Sequence, residues 1–322
     1  MEHVFPDATY KRIFGLKGSK DIAFVDSLVE GLAAIDDTLL PAPLPHPFAK
    51  HIAMGAESIE SLLANIENGE GDNQAEAIDA LAHIFLYTGA PVDAAVRLRK
   101  VMHKSDDAEV KGQCIKCLAI GKDTDLIEQQ LKLLGDDDPG MVASAARLLG
   151  FANCEAALPA LRALLSPERM FESRGVIWAL GEIGHSDALD ELEFSLANGF
   201  RTVECLIAIG KIGSITSIPK LTPMIISGLP EQRDAAYRSL SMILDENRDL
   251  VSDVLRKELS GLIIGQLSDV NLPLSGSTRF HMCLSLARLG EKLDEARVKR
   301  FLNIELKEKD ASKMAAFFMR KK

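Results

Sequence analysis

The stretch ARLLGFANCEAALPALRALL (residues 146–165) is twenty residues long and mostly apolar, so a membrane span, a single buried helix and a shorter recurring element are all open. Its interruptions are polar or charged: Arg147, Asn153, Glu155 and Arg162. Each of these side chains is unfavourable in the hydrocarbon of a bilayer. Gly150 and Pro159 also mark the end of one helix and the start of the next. The stretch therefore predicts two helices that fold back on each other.

The same arrangement recurs along the chain around a glycine that follows a short apolar run. The reference glycines are Gly89, Gly121, Gly150, Gly181, Gly210 and Gly290. Their spacings from the first to the fifth are 32, 29, 31 and 29 residues. Large apolar residues follow at fixed offsets, such as Leu158 and Leu161 after Gly150. A period near thirty residues with two helices per unit is typical of an α-solenoid.

Each position in the repeat has a physical reason. The reference glycine is expected to end the second helix of a hairpin in a left-handed backbone conformation, which a residue without Cβ adopts easily. Small residues such as Ala145 and Ala146 are expected to let neighbouring helices approach closely. Acidic turns such as GDDDPG (135–140) are expected to cap the helix that follows.

Residues 136–165 and 173–196 resemble HEAT-like repeats of the short, phycobilisome-lyase type. The resemblance extends over roughly residues 72–228, continues more loosely to 308, and is absent before about residue 50. It implies an all-α fold, a right-handed α-solenoid (α/α superhelix) of HEAT-like helical hairpin repeats. Two helix starts depart from the usual Val-Arg pair, since Ser173-Arg174 and Arg201-Thr202 stand there.

The predicted organisation has three parts. Residues 1–48 form an N-terminal helical cap and a proline-rich connector, residues 49–309 form the HEAT-like array, and residues 310–322 form a C-terminal capping helix or tail. The cap contains a helix over 21–40, and PAPLPHPF (41–48) is expected to be an extended polyproline segment.

The repeat becomes irregular between Gly213 and Gly290. EQRDAAYRSLSMILDE (231–246) predicts an amphipathic helix, although no glycine ends it. We expect an irregular repeat here with an insertion around residues 268–278.

Composition narrows the class of protein. Apolar residues make up 47% of the chain and charged residues 26%, which is the profile of a folded protein. The formal charge of −10 makes nucleic acid an unlikely partner unless basic residues gather on one face. No membrane span, no secretion signal and few cysteines together predict a cytoplasmic location.

The sequence carries no recognised catalytic constellation. CIKC (114–117) lies in mid-helix with no second CxxC, so Cys114 and Cys117 are expected to be buried thiols rather than zinc ligands. GxSxG, GxxxxGK[ST], GxGxxG and HExxH are all missing, and so is the His-Glu dipeptide that repeats in HEAT-like di-iron hydroxylases. His185 is expected at a turn as a capping or surface residue. We predict no catalytic residue, no metal and no cofactor.

The candidate binding surface lies on the second helices of the hairpins. The resemblance to HEAT-like repeats implies that these helices line the concave side of the stack. Arg147 and Trp178 each precede a reference glycine by three residues. The candidate binding residues are Lys111, Lys116, Arg147, Arg174, Trp178, Arg201, Glu204, Tyr237 and Arg238. Trp, Tyr and Arg commonly anchor interfaces because each combines a large area with a polar group. The alternative is that Trp178 fills a gap between repeats while the arginines are merely solvated.

The leading functional hypothesis is a non-catalytic scaffold or adaptor whose concave face binds a protein or peptide partner. The resemblance leaves an enzyme open, either a DNA glycosylase-type nucleic-acid binder or a chromophore lyase-like protein. A glycosylase would need a basic groove with an aromatic residue and a carboxylate at its centre. A structural component of a larger bacterial assembly is a further alternative.

Overall fold

The computed structural model describes residues 56–69, 71–166, 168–303, 312, 314–315 and 318–319. The predicted helix over 21–40 and the proline-rich connector lie outside these residues. All regular structure in the described part of the chain is helical. The chain divides into two compact units whose described residues part between Ile183 and Gly184, within the span predicted as one array.

The residues of the N-terminal unit that the structure describes form four helical hairpins. Its helices are α1 (Ala56–Asn68), α2 (Gly71–Thr88), α3 (Val92–Lys104), α4 (Ala108–Ile120), α5 (Thr124–Leu133), α6 (Pro139–Phe151), α7 (Leu158–Leu164) and α8 (Met170–Ile183). Odd-numbered helices are the first helices of the hairpins, and each packs against the even-numbered second helix that follows it. The second helices also pack on one another in chain order, α2 on α4, α4 on α6 and α6 on α8. This is the arrangement that the thirty-residue period predicts.

Aspartates begin several of these helices, as expected. Asp107 accepts a hydrogen bond from the Glu109 backbone N–H, and Asp123 accepts one from Leu126. In the GDDDPG turn, Asp138 accepts from the backbone N–H groups of residues 140 and 141 at the start of α6. Each cap satisfies backbone donors that have no partner inside the helix.

The left-handed backbone predicted for the reference glycines is confirmed at Gly89 and Gly290 but is wrong at the other four, Gly121, Gly150, Gly181 and Gly210. Gly150, Gly181 and Gly210 lie inside their helices and are buried, and none of them has a positive φ. The left-handed residue comes three positions later, at Asn153 with φ of 49° and at Gly184 with φ of 70°. The helices therefore continue past the reference glycine before they are capped.

Close packing between helices explains why a glycine stands at the reference position. A Cβ atom at Gly150 would lie 2.8 Å from Cζ3 of Trp178 and 2.9 Å from Cα of Ala179 on α8. A Cβ at Gly175 of α8 would lie 2.7 Å from the carbonyl oxygen of Ala143 on α6. All three distances are below van der Waals contact, so α6 and α8 approach at a separation that only glycine permits.

The C-terminal unit repeats the hairpin plan. Its helices are α9 (Leu189–Ala197), α10 (Thr202–Ile212), α11 (Ile218–Ser227), α12 (Pro230–Glu246), α13 (Asp253–Ser268), α14 (Gly276–Arg288) and α15 (Glu295–Leu302). The second helices α10, α12 and α14 pack side by side. A Cβ at Gly210 of α10 would lie 2.6 Å from Cα of Ser239 on α12, so the same close approach recurs here. Residues 269–275, inside the predicted insertion, form the connection between α13 and α14.

Helix α12 is buried around most of its circumference and not only along one apolar face, which corrects the amphipathic prediction. Two of its buried charged side chains, Arg233 and Asp245, have hydrogen-bond partners inside the unit. Arg233 donates to the carbonyl oxygens of Ile225 and Gly228, and Asp245 accepts a hydrogen bond from Arg288 of α14 at 2.5 Å. Burial of these polar groups is tolerated because they are hydrogen-bonded.

The described residues of the C-terminal tail contact the last hairpin. Phe318 is fully buried, and its ring centre lies 5.4 Å from that of Phe280 on α14. Met314 is buried, and the Met319 sulfur accepts a hydrogen bond from the Leu293 backbone N–H. These contacts place apolar tail side chains against earlier residues of the same unit.

Candidate interaction surface

Four side chains from three successive second helices of the N-terminal unit form a connected series, which we call the aromatic–cation row: Lys116, Arg147, Phe151 and Trp178. The Lys116 ammonium nitrogen lies 5.7 Å from the centre of the Phe151 ring. The Phe151 and Trp178 rings are 4.7 Å apart in a T-shaped arrangement. The Arg147 guanidinium carbon lies 5.9 Å from the centre of the Trp178 ring. Each of these contacts joins side chains of two neighbouring repeats.

A carboxylate fixes one end of the row. The Lys116 ammonium group lies 2.8 Å from Oδ1 of Asp79 on α2, and both side chains are largely shielded from solvent. This ion pair holds the Lys116 side chain where it can lie over the Phe151 ring. A cation near an aromatic face contributes about 0.5–1 kcal/mol at an exposed site and more where water is excluded.

The position of Trp178 combines the two alternatives left open by the sequence. One edge of the indole packs on Gly150, so the ring fills space between α6 and α8. The side chain is nevertheless only partly buried, and Arg147 beside it is exposed. Trp178 therefore packs between repeats and also contributes to the surface.

Helix α8 extends the exposed face toward its N-terminus. Arg174 precedes Trp178 by four residues and Phe171 precedes Arg174 by three, so the three side chains share one face of α8. Arg174 is exposed, and Phe171 is 85% exposed. A large aromatic side chain at this exposure is unusual for a folded domain.

Lys111 lies on α4 but away from the row. It is half-buried, and it precedes Lys116 by five residues, which corresponds to roughly 140° around a helix. The two lysines therefore do not share a face.

Arg201 and Glu204 lie at the start of α10 in the C-terminal unit. They form an ion pair with 3.7 Å between Nη1 and Oε1, and both side chains are about one-third exposed. Arg201 has a left-handed backbone with φ of 48°. The structure thus pairs these two candidates with each other.

Tyr237 and Arg238 are buried inside the C-terminal unit, so they contribute no exposed anchor. Tyr237 has no exposed area, and its hydroxyl donates to Oε1 of Gln266 at 2.9 Å. Burial raises the pKa of Tyr237, which keeps the phenol protonated. Arg238 is 6% exposed. Both side chains belong to the polar interior around α12.

The CIKC cysteines are buried, as predicted. Cys114 and Cys117 have no exposed area. Burial raises the pKa of Cys114 to about 11 and the pKa of Cys117 well above its usual value. Thiols with raised pKa values are poor nucleophiles at neutral pH. Within the described residues, no group of three or more His, Cys, Asp or Glu side chains is arranged to hold a metal ion.

His185 is a capping residue at the surface, as predicted, because its Nδ1 accepts a hydrogen bond from the Asp187 backbone N–H. None of the helices in the described part of the chain combines the length and apolar character needed to cross a bilayer.

Three residues of this surface were missed by the sequence analysis: Asp79, Phe151 and Phe171. Phe151 follows Arg147 by four residues, and Phe171 precedes Trp178 by seven, so helical spacing alone could have placed both on the same faces. Asp79 has no such signal, because its contact with Lys116 joins two hairpins.

The family model for HEAT repeats matches residues 95–170 and, in a second and overlapping match, residues 127–204. Residues 95–204 are therefore built from HEAT repeats, and the protein has the fold class of an all-α helical-repeat solenoid. The match is to the HEAT repeat in general and not to the phycobilisome-lyase type. No curated protein matches the chain.

Several solved structures are similar to the chain. An engineered protein is 18% identical over 91% of this chain and 81% of its own, with a TM-score of 0.39. Human deoxyhypusine hydroxylase in complex with glycerol is 13% identical over 76% of this chain and 99% of its own, with a TM-score of 0.28. A second engineered protein is 16% identical over 72% of this chain and 96% of its own, with a TM-score of 0.30. These similarities are low, and the HEAT assignment rests on the family match and on the hairpins themselves.

Proposed function

We propose that this protein is a HEAT-repeat scaffold that binds a protein or peptide partner on the exposed face of the second helices of its N-terminal unit. The observation that carries the proposal is the aromatic–cation row. It places tryptophan and arginine on an exposed face, and interfaces draw most of their binding energy from these residue types.

The supports of the row favour binding without rearrangement. Trp178 is held by Gly150 on one side and by the Phe151 ring on another, so its rotamer is restricted before any partner arrives. A side chain that is already ordered loses little conformational entropy on binding. The row is therefore a preorganised surface on rigid elements.

The test is a double variant, Trp178→Ala with Arg147→Ala. The wild-type protein is used to capture proteins from its own source, and the captured protein is then purified and titrated against both forms. We expect the dissociation constant to rise at least tenfold, since loss of one binding hot spot costs about 2 kcal/mol or more. Far-UV circular dichroism must show unchanged helicity.

The matched control is Gln129→Ala with Lys132→Ala on α5, because both side chains are exposed on a first helix of the same unit. The control is expected to bind as the wild type does. If the Trp178/Arg147 variant binds the partner as tightly as the wild type does, this surface is not the binding site.

A further inference from the structure

The second helices α4, α6 and α8 begin at one edge of the N-terminal unit. Gly150 of α6 lies against Ala179 of α8, and nearer the start of both helices Gly175 lies against Ala143. The two helices therefore run side by side in the same direction. The first helix of each hairpin returns the chain to the start of the second, and α4 packs beside α6, so α4 begins at this edge as well. We call the residues that lead into these three helices the acidic–apolar edge: residues 104–109, 132–138, 168–171 and Met141.

Three large apolar side chains of this edge are exposed to solvent. Met141 is 43% exposed, Met170 is 57% exposed, and Phe171 is 85% exposed. Exposed apolar side chains that lie together commonly mark a site where another protein binds. Methionine adapts well to the shape of an apolar partner because its side chain is unbranched and flexible.

The apolar side chains follow one another along the edge. Phe171 precedes Gly175 by four residues, so it lies on the side of α8 that faces α6. Met141 precedes Gly150 by nine residues, which is about two and a half turns, so it lies on the side of α6 away from α8 and towards α4. Neighbouring packed helices have axes about 8–10 Å apart, and the apolar side chains are spread over a distance of this order.

The edge is acidic. It carries seven exposed carboxylate side chains and three basic ones, Lys104, Lys132 and Arg169, which leaves a formal charge of −4. Asp107 and Asp138 cap α4 and α6, but accepting a hydrogen bond does not remove their negative charge. The partial positive charges of the three helix N-termini are offset by the C-termini of α3, α5 and α7, which lie at the same edge. A negative potential therefore surrounds the exposed apolar side chains.

We infer that the acidic–apolar edge binds a basic amphipathic helix of a partner protein. The apolar side chains of that helix contact Met141, Met170 and Phe171, and its Lys and Arg side chains lie over the carboxylates. Two apolar side chains seven positions apart lie on one face of a helix and about 10 Å from each other, which matches the spacing of α6 and α8. The inference does not rest on the proposed function, because the edge lies at the opposite end of α8 from Trp178.

The charge of the edge argues against other occupants. A second copy of the same edge carries the same negative charge and is repelled, because like charges that face each other across an interface are unfavourable. Nucleic acids and anionic lipid surfaces are repelled for the same reason. A cationic segment with apolar side chains is complementary to both the charge and the exposed side chains.

The probe is a labelled peptide of Leu, Ala and Lys in the order that gives an amphipathic helix, titrated against the full-length protein by fluorescence anisotropy. A counterpart peptide with Glu at each Lys position is expected to bind about tenfold more weakly or not at all. Met141→Ala with Phe171→Ala is expected to raise the dissociation constant of the basic peptide about tenfold, because two apolar contacts are lost. Asp106→Lys with Asp137→Lys is expected to have an effect of similar size, which added salt reduces.

The controls change exposed positions of the same unit outside the edge. Val96→Ala shortens an exposed apolar side chain on α3, and Glu128→Lys with Glu155→Lys changes the net charge as much as the Asp106/Asp137 variant does. Both controls are expected to bind the basic peptide as the wild type does. If the charge control loses as much affinity as the Asp106/Asp137 variant, the effect is one of overall charge and the inference is wrong. It is also wrong if the Met141/Phe171 variant binds the basic peptide unchanged, or if the acidic peptide binds equally well.

The remaining outcomes separate this inference from the proposed function. If Trp178→Ala with Arg147→Ala abolishes peptide binding and the edge variants do not, the peptide binds at the aromatic–cation row, and the inference fails while the proposed function stands. If only the edge variants weaken peptide binding, the inference stands whatever the Trp178/Arg147 variant does to the captured partner. A dimer that Met141→Ala with Phe171→Ala converts to a monomer in size-exclusion chromatography would identify a second copy as the occupant. Binding to phosphatidylcholine vesicles that the same variant abolishes would identify a lipid surface. Either result would overturn the inference.

Discussion

Substituting Gly150 by alanine separates the two explanations for the reference glycine. If Gly150 served only to terminate the helix, Gly150→Ala would stabilise the protein by about 1 kcal/mol, because alanine has the higher helix propensity. The structure predicts the opposite, that Gly150→Ala lowers the stability of the protein. The added Cβ would lie 2.8 Å from the Trp178 ring and 2.9 Å from Cα of Ala179, and a backbone atom cannot move aside as a flexible side chain can.

The magnitude follows from these opposing effects. Overpacking of a well-packed interface costs typically about 1–3 kcal/mol. After the gain in helix propensity is subtracted, we expect Gly150→Ala to destabilise the protein by up to roughly 2 kcal/mol. With an unfolding entropy of about 2.1 cal/mol/K per residue, a chain of 322 residues would show a fall in melting temperature of up to roughly 3 °C.

The assay combines thermal unfolding by far-UV circular dichroism with the fluorescence of Trp178, the only tryptophan in the chain. Displacement of the indole by the new methyl group is expected to change the native emission spectrum. Gly112→Ala is the matched control, because Gly112 lies inside α4, is exposed, and has nothing within 4 Å of the place that an added Cβ would take. The control is expected to be equally or more stable than the wild type, with unchanged emission. If Gly150→Ala behaves as Gly112→Ala does, the close-packing explanation is wrong.

Three further predictions concern other parts of the chain. We propose that residues 310–322 cap the last hairpin. Because the Phe318 ring is fully buried, Phe318→Ala is expected to lower the free energy of unfolding, measured in urea, by about 3 kcal/mol. An unchanged urea midpoint would contradict the proposed cap. Burial lowers the pKa of His281 to about 3, so the folded protein keeps this imidazole neutral while the unfolded chain binds a proton below its ordinary pKa of about 6.5. Stability is therefore lost as pH falls, by up to about 2 kcal/mol between pH 7 and pH 5, and His281→Gln is expected to reduce this loss. Thiol labelling of the native protein is expected to modify Cys154 first, since it is the partly exposed cysteine and the other four are buried; equal labelling of all five would contradict this.

The repeat register was predictable from sequence even though its cause was misassigned. A glycine recurs near every thirty residues, and that period locates the hairpins whichever role the glycine has. Termination and close packing both favour glycine near the end of a second helix, so sequence alone does not distinguish them. The left-handed position is occupied by Asn153 after α6 and by Gly184 after α8, and only the three-dimensional structure shows that these residues end the helices.

Trp178 and Tyr237 differ in solvent exposure, and this difference explains why the binding surface was only partly predictable from the sequence. Both lie on second helices near an arginine, and both are the residue types that anchor interfaces. Trp178 stays partly exposed beside Arg147, whereas Tyr237 is covered and bonded to Gln266, a residue of a later helix in the irregular part of the array. Helical spacing specifies the face of a helix on which a side chain lies, but the neighbouring hairpins decide whether that face is covered. The exposure of an aromatic side chain can therefore be predicted from the sequence where the neighbouring repeats are regular. It cannot be predicted where an irregular helix such as α13 covers that side chain.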